Sequence, residues 1–304
     1  MSLPIKLRHL EAFVEVARQR SVQKAADALH VSQPAVTKTM RELEESLGVA
    51  VYERDGRGIR LTNHGEVFLR HAGAALVSVK QGLDSVSDGR AGELQPIRVG
   101  ALPTVSSLIM PRAIELFLQE QPDRRVRIVT GENAAILEQL RQGELDLVVG
   151  RLSGADLMVG LSFEHLYSEA VRFVVRPQHP LLSASGSVLE RIADYLVLMP
   201  TPASIIRPYV DRLLIANGVH VFPRQIETVS DTFARAFLRT NDAVWIISAG
   251  VVANDLADGA LVALPVDTAQ TLGPVGLTMR ADGPLRPGTE LLARAIRAAS
   301  RQDL

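Results

Sequence analysis

The chain has no cysteine, and only one tryptophan, four tyrosines and eight phenylalanines in 304 residues. Without cysteine there are no disulfides, thiol nucleophiles or thiolate metal sites, which suits a reducing compartment. No apolar run reaches the length of roughly 20 residues that spans a bilayer. The start MSLPIKLRHLEAFVEVARQR has no uncharged apolar core of signal-peptide length, so a cytoplasmic protein with no membrane partner is expected. Charge of one sign is missing as well: 33 Lys+Arg face 34 Asp+Glu, so composition alone does not announce nucleic acid. The halves differ slightly. Residues 1–90 hold 13 basic and 11 acidic residues, and all four lysines (Lys6, Lys24, Lys38, Lys80) lie there. The G-x-x-x-x-G-K-[ST], H-E-x-x-H and G-x-S-x-G motifs are absent. The seven histidines (His9, His30, His64, His71, His165, His179, His220) are scattered, and neither Asp146 nor Asp242 has a spaced partner acid. Catalysis and metal binding therefore find little support.

What the sequence does carry is a strong local pattern near its start. In SVQKAADALHVSQPAVTKTMRELEESL, Ser21 stands as an N-cap, and Val22, Ala25, Ala26 and Leu29 recur at i, i+3, i+4 and i+7, one apolar helix face. His30-Val31 makes a turn, without the usual glycine. Ser32 caps a second helix, and Pro34 sits in its first turn, where a missing N–H costs little. At about 100° per residue from Val36, Met40, Leu43 and Leu47 share one face, while Gln33, Pro34, Thr37, Lys38 and Arg41 point the other way. Capped, turn-linked helix pairs chiefly serve as helix-turn-helix units, with the second helix in the major groove. Glutamine there pairs with an adenine edge, threonine offers a methyl and a hydroxyl, and lysine and arginine reach guanine or phosphate. For a lone helix, a solvated basic face is the plainer reading; the paired architecture favours DNA.

Upstream, Leu10, Phe13, Val14 and Ala17 predict a first helix over about 7–19. Downstream, residues 49–61 read as a β-hairpin with a glycine-rich tip carrying Arg54, Arg57 and Arg60. Beside a helix-turn-helix this is a wing touching DNA backbone or minor groove. The candidate DNA-binding residues are thus Ser21, Gln23, Ser32, Gln33, Pro34, Thr37, Lys38, Arg41, Arg54 and Arg57. Thr62 or Asn63 then starts a long helix, with Glu66 placed for a capping box with Asn63. Ala72, Leu76, Val79, Leu83 and Val86 step by 4, 3, 4 and 3, a coiled-coil seam that would pair two chains. A polar, glycine-broken stretch at 87–93 reads as a hinge.

The phrase AADALHVSQPAVTKTMRELEESLGVAVYERDGRGIRLTNHGE resembles the N-terminal signature of the LysR-type transcriptional regulators. The likeness is dense over about the first 65 residues. LRHLEAFVEVARQRSVQKAADALHVSQPAVTKTMRELEESLGV with RDGRGIRLTNHGE looks most like the regulators of protocatechuate degradation and their relatives that respond to sugars. The resemblance implies a winged helix-turn-helix over 1–62, a dimerising linker helix over 63–90, and an effector domain over 91–304. It implies a homotetramer, a dimer of dimers, on a partly palindromic double-stranded DNA site near a promoter. There a small effector changes DNA bending and RNA polymerase recruitment.

Beyond 96, strands and helices alternate. Strands are expected at 97–101, 126–130 and 145–150 and helices at 108–119 and 134–141, a βαβαβ unit with a parallel sheet. A second set runs from 171 to 256, and a strand at 275–280 with a helix at 290–299 returns to the first sheet. The fold class is therefore an α+β winged domain, a long helix, and an α/β effector domain like a periplasmic binding protein. Its two lobes are placed at about 97–165 with 270–304, and 166–269. Open α/β sheets bind ligands beyond the carboxyl ends of their strands. The segments found there are Pro103–Ser107, with Thr104 and Ser106; Glu132-Asn133; Arg151; Pro200–Ser204, leading through Ile205 to Arg207; and Ser248–Gly250. Hydroxyls and arginine suit a small anion, although serine, threonine and asparagine also cap helices everywhere. Aligned on the family's pattern, Thr104, Asn133 and the loop Ser204–Arg207 fall where family members hold acid effectors. Arg207 departs from relatives that bind muconate. It reads either as an extra carboxylate clamp or as the partner of Asp211 one turn on. No cofactor is expected. The effector implied is a carboxylate such as protocatechuate or its carboxymuconate product, controlling a catabolic operon, with a sugar or another small acid as the alternative. An enzyme with an accessory DNA-binding domain and a purely architectural DNA binder are the other classes.

Overall fold

A computed structural model describes residues 4–56, 58–88, 95–183, 187–219, 221–281, 283 and 285–302. Arg57, His220, most of the expected hinge and the Val86 side chain lie outside what it describes. The chain divides into two compact units, one up to Gln95 with residues 141–144, the other holding the rest.

In the N-terminal unit, α1 spans Leu7–Gln19, α2 Val22–Ala28 and α3 Gln33–Leu47; β1 (Tyr52–Asp55) and β2 (Gly58–Leu61) pair antiparallel, and α4 runs from Asn63 to Asp88. The apolar stripes meet as expected: Phe13, Val16, Ala25, Ala26, Val36, Met40 and Leu43 form one buried core. Burying each of the larger of these side chains contributes about 1.5–3 kcal/mol. The α2–α3 turn closes as a Schellman motif, with the His30 N–H on the Asp27 carbonyl at 3.2 Å and the Val31 N–H on the Ala26 carbonyl at 3.0 Å. His30 itself takes the left-handed conformation, at φ 55°, that glycine usually fills.

Three local details differ from expectation. Ser32 precedes α3 without a side-chain cap, so the Pro34 turn starts the helix unaided. The cap of α4 is Thr62, whose hydroxyl accepts the Gly65 N–H at 3.1 Å, so Asn63 is the first helical residue rather than the cap. Ala72 is buried in the winged-domain core instead of facing a partner, because the first turns of α4, with Phe68 and Leu69, belong to that core. The Phe68 ring meets Phe13 at 5.2 Å. Gly65 allows this docking, since a Cβ there would stand 1.9 Å from the Val51 carbonyl oxygen. Ala72 therefore drops out of the expected seam, and Leu76 is the first of its positions outside that core.

The C-terminal unit holds two five-stranded sheets. The first is built from β3 (Ile97–Ala101), β4 (Val126–Val129), β5 (Leu147–Arg151), β6 (Leu161–Glu169) and β12 (Gly273–Arg280), in the order β4-β3-β5-β12-β6. The helices α5 (Pro103–Ser107), α6 (Met110–Glu120), α7 (Asn133–Arg141) and α12 (Pro287–Gln302) accompany it. The second comprises β7 (Val171–Val175), β8 (Leu196–Met199), β9 (Gln225–Glu227), β10 (Ala243–Ser248) and β11 (Val262–Ala263), in the order β11-β7-β10-β8-β9. Its helices are α8 (Val188–Ile192), α9 (Arg207–Ala216), α10 (Asp231–Leu238) and α11 (Ala253–Ala257).

The expected parallel arrangement holds for β3, β4 and β5, and for β8, β9 and β10; β12 and β7 run antiparallel to their neighbours, so both sheets are mixed. The nine-residue β6 was not expected, and it keeps the chain in the first sheet through Glu169. The first crossover thus lies at Ala170, later than the lobe boundary placed at 165–166. The segment 103–107, expected as a loop, is a short helical turn directly after β3.

Candidate nucleic-acid interface and ligand cleft

The outward face of α3 is built as its periodicity requires. Gln33, Pro34, Lys38 and Arg41 are exposed, Thr37 is half-buried, and the opposite face is the core. The Gln33 amide donates to the Thr37 hydroxyl at 3.3 Å, and that hydroxyl donates to the Gln33 carbonyl at 3.0 Å. Lys38 stands 4.0 Å from Glu42, which Arg8 also pairs at 2.8 Å. Hydrogen bonds from Arg8 and then His9 hold the Glu42 carboxyl below its ordinary pKa. Arg41 forms no ion pair among the described residues, so two cations remain on the face for phosphate or guanine. At the start of α2, the Ser21 hydroxyl accepts the Lys24 N–H, and Gln23 is exposed with its amide on Asp27. Arg54 is exposed on the hairpin, whereas Arg60 is paired with Glu53 across the strands.

In the C-terminal unit, a cleft of about 490 Å³ opens where the carboxyl ends of β3, β5, β8 and β10 face each other across the lobes. Thr104, Ser106, Asn133, Ser204, Ile205 and Ser248 all line it, so six of the seven candidate effector residues come together. One further feature was not legible in the sequence, the role of Glu169, and one residue noted there at a strand end, Arg151, joins the six. Glu169, buried at the end of β6, accepts the Thr104 hydroxyl at 2.5 Å and the Gly250 N–H at 3.0 Å, tying one lobe to the other. Arg151, at the end of β5, also lines the cleft; burial pulls its guanidinium below its ordinary pKa, with Glu169 and Tyr209 opposing.

Arg207 is the correction. It does not line the cleft. Its guanidinium donates to Asp211 at 2.8 Å, to Glu227 at 2.8 Å and to the Pro200 carbonyl at 2.9 Å, all in its own lobe. The hydrogen bond to Glu227, with Asp211 behind it, raises its pKa. The side chain turns back over the start of α9, where two acids and a carbonyl converge, and so ties α9 to β9. Arg207→Ala is therefore expected to leave ligand affinity within about twofold. It should lower stability by only about 1–2 kcal/mol, because Asp211 and Glu227 stay hydrated. Calorimetry and urea unfolding on the same variant check both statements.

The description "Bacterial regulatory helix-turn-helix protein, lysR family" matches residues 7–66, and "LysR substrate binding domain" matches residues 90–301. The chain belongs to the LysR family. It is a DNA-binding transcriptional regulator of an effector-responsive family, not an enzyme. The HTH-type transcriptional regulator PcaQ of Agrobacterium fabrum is 62% identical over 296 residues, covering 97% of this chain and 95% of that protein. The uncharacterized regulator YdcI of Escherichia coli is 37% identical over 293 residues, covering 96% and 95%. Among solved structures, full-length LysG from Corynebacterium glutamicum with bound effector Arg superposes with a TM-score of 0.66 over 99% of both chains. At 17% identity this is a likeness of fold. No helix among the described residues is long and apolar enough to cross a membrane.

Proposed function

We propose that residues 1–62 read an operator, that the linker region 63–90 pairs two chains through α4, and that residues 91–304 sense a small acid. On this reading Gln33 and Thr37 meet base edges, while Lys38, Arg41, Arg54 and Arg57 meet phosphate or groove. Ser21, Gln23, Ser32 and Pro34 set the helix starts against the backbone. The effector is an aromatic acid such as protocatechuate or its carboxymuconate ring-cleavage product, and the target is a catabolic operon. Two such dimers make the tetramer that recruits RNA polymerase. The observation that carries the reading is a cleft lined by hydroxyls from both lobes and by a buried arginine, in a chain 62% identical to PcaQ.

Thermal unfolding of the full chain with a panel of aromatic acids tests the effector. A rise in midpoint with protocatechuate or carboxymuconate, and none with their esters, is the expected result. A sugar is the second reading, because Glu132 and Asp231 also line the cleft and would accept hydroxyl donors; sugars belong in the same panel.

On the DNA side, Gln33→Ala should cost about 1–3 kcal/mol on the specific site and relax preference at one base pair. Lys38→Ala should instead weaken every sequence alike and flatten the salt dependence by about one phosphate contact. Fluorescence anisotropy across a salt series separates the two, and wild-type operator affinity in the double variant would end the assignment.

A further inference from the structure

We infer that Arg151 receives the effector's carboxylate at the floor of the cleft. The inference rests on the reading of the cleft as an acid site. Arg151 is 2% exposed, yet it lines the cleft. Of its three guanidinium nitrogens, Nη2 donates to the Thr271 carbonyl, while Nε and Nη1 are buried with no hydrogen-bond acceptor among the described residues. The neighbouring acid does not supply one: Glu169 accepts from Thr104 and Gly250, and reaches the guanidinium only through its charge. Tyr209 sets its ring face 4.7 Å from the guanidinium carbon and its hydroxyl also favours the charged form, yet Nε and Nη1 stay unanswered.

A buried cation with unanswered N–H groups is unfavourable. It is tolerable where an incoming anion completes it, and here the void beside it is the ligand cleft. Arg207, the other arginine near this cleft, is already neutralised. Position adds a consequence. Thr271 lies on the second crossover between lobes, and Glu169 ends just before the first, so the ligand's charge is delivered to the hinge.

Titration calorimetry and thermal unfolding on the full chain test this, with Arg151→Gln and Arg151→Lys beside wild type. The probes are benzoate, protocatechuate, carboxymuconate and the uncharged 3,4-dihydroxybenzamide. Wild type should prefer the acids to the amide by about tenfold or more. Arg151→Gln should lose about tenfold to hundredfold for the acids and little for the amide, since charge-assisted hydrogen bonds carry that difference. Without ligand, Arg151→Gln should melt no lower than wild type. If Arg151→Gln does not fold, Arg151→Lys decides: its charge keeps the preference for acids at reduced affinity. Unchanged acid affinity in either variant, or a wild type that binds no carboxylate, overturns the inference. Benzoate binding that vanishes in Arg151→Gln, in a protein that ignores both larger acids, keeps Arg151 and removes the protocatechuate reading.

Discussion

Asp146→Ala is expected to remove about 3–5 kcal/mol from the stability of the C-terminal unit. Asp146 precedes β5 and is 4% exposed. One oxygen accepts the Arg98 backbone N–H at 2.7 Å; the other accepts Arg98 Nη2 at 3.0 Å and Arg286 Nη2 at 2.6 Å. A single carboxylate thus joins β3, β5 and the entry to α12. Alanine would leave two guanidinium groups, each less than a quarter exposed, without the acid between them. It would also take the acceptor from a backbone N–H. Each loss is of the costly kind, in which one partner of a buried set is removed and the others stay. Asp242 supplies the contrast. It pairs with Arg176 at 2.7 Å, but the two side chains are 42% and 29% exposed, so Asp242→Ala should cost less than about 1 kcal/mol. Urea unfolding followed by circular dichroism compares the two. An Asp146→Ala protein within about 1 kcal/mol of wild type would refute the hub.

In the sequence these two aspartates look alike, each an acid with no spaced partner. Nothing in either neighbourhood says that one meets arginines 48 and 140 residues away while the other meets one on the surface. That limit recurs. The winged domain was legible nearly residue by residue, because its signals are local: an apolar period, a cap, a turn, a glycine tip. α1 starts and stops where the stripe of Leu10, Phe13, Val14 and Ala17 requires. β6 was not legible, since its burial does not alternate cleanly along LSFEHLYSE and its pairing with β12 shifts register between Val275 and Gly276. Mixed strand direction was hidden for a related reason. The direction of β12 is set by a return of the chain from a whole lobe, not by any turn within it.

The cleft was legible in outline for a topological reason. Residues after parallel strands converge whatever their identity, and so Thr104, Asn133, Ser204 and Ser248 meet. Which of two arginines lines the cleft was not. Arg207 opens α9, and its side chain is drawn back by Asp211, four residues on, and by Glu227 from β9, which the sequence places 20 residues off. Arg151 ends β5, where burial depends on the packing of the second crossover around Thr271. The helical i, i+4 pairing of Arg207 with Asp211 was the one local signal, and it pointed to structure.

Leu76→Asp with Leu83→Asp is expected to end self-association and operator binding together. α4 has 26 residues, about 39 Å at 1.5 Å per residue. Its first turns are held in the winged-domain core through Phe68, Leu69 and Ala72. Beyond them Leu76 is half-buried, while Val79 and Leu83 are 43% and 65% exposed, and the three step by 3 and 4 on one face. That is the spacing of a helix that buries a narrow stripe against a second helix. Two aspartates per chain would bring like charges together in a desolvated seam, at least ~4 kcal/mol per dimer and about a thousandfold in Kd. Operator affinity should fall with it, by about a hundredfold or more, because one winged domain then reads a half-site without its tethered neighbour. Sedimentation velocity and anisotropy on the same samples measure both. The site of substitution separates loss of pairing from loss of fold. The Leu76/Leu83 variant should keep its helical circular dichroism as a monomer, whereas Ala72→Asp, one turn earlier and buried, should unfold the winged domain. An intact dimer in the double variant would place the pairing surface elsewhere.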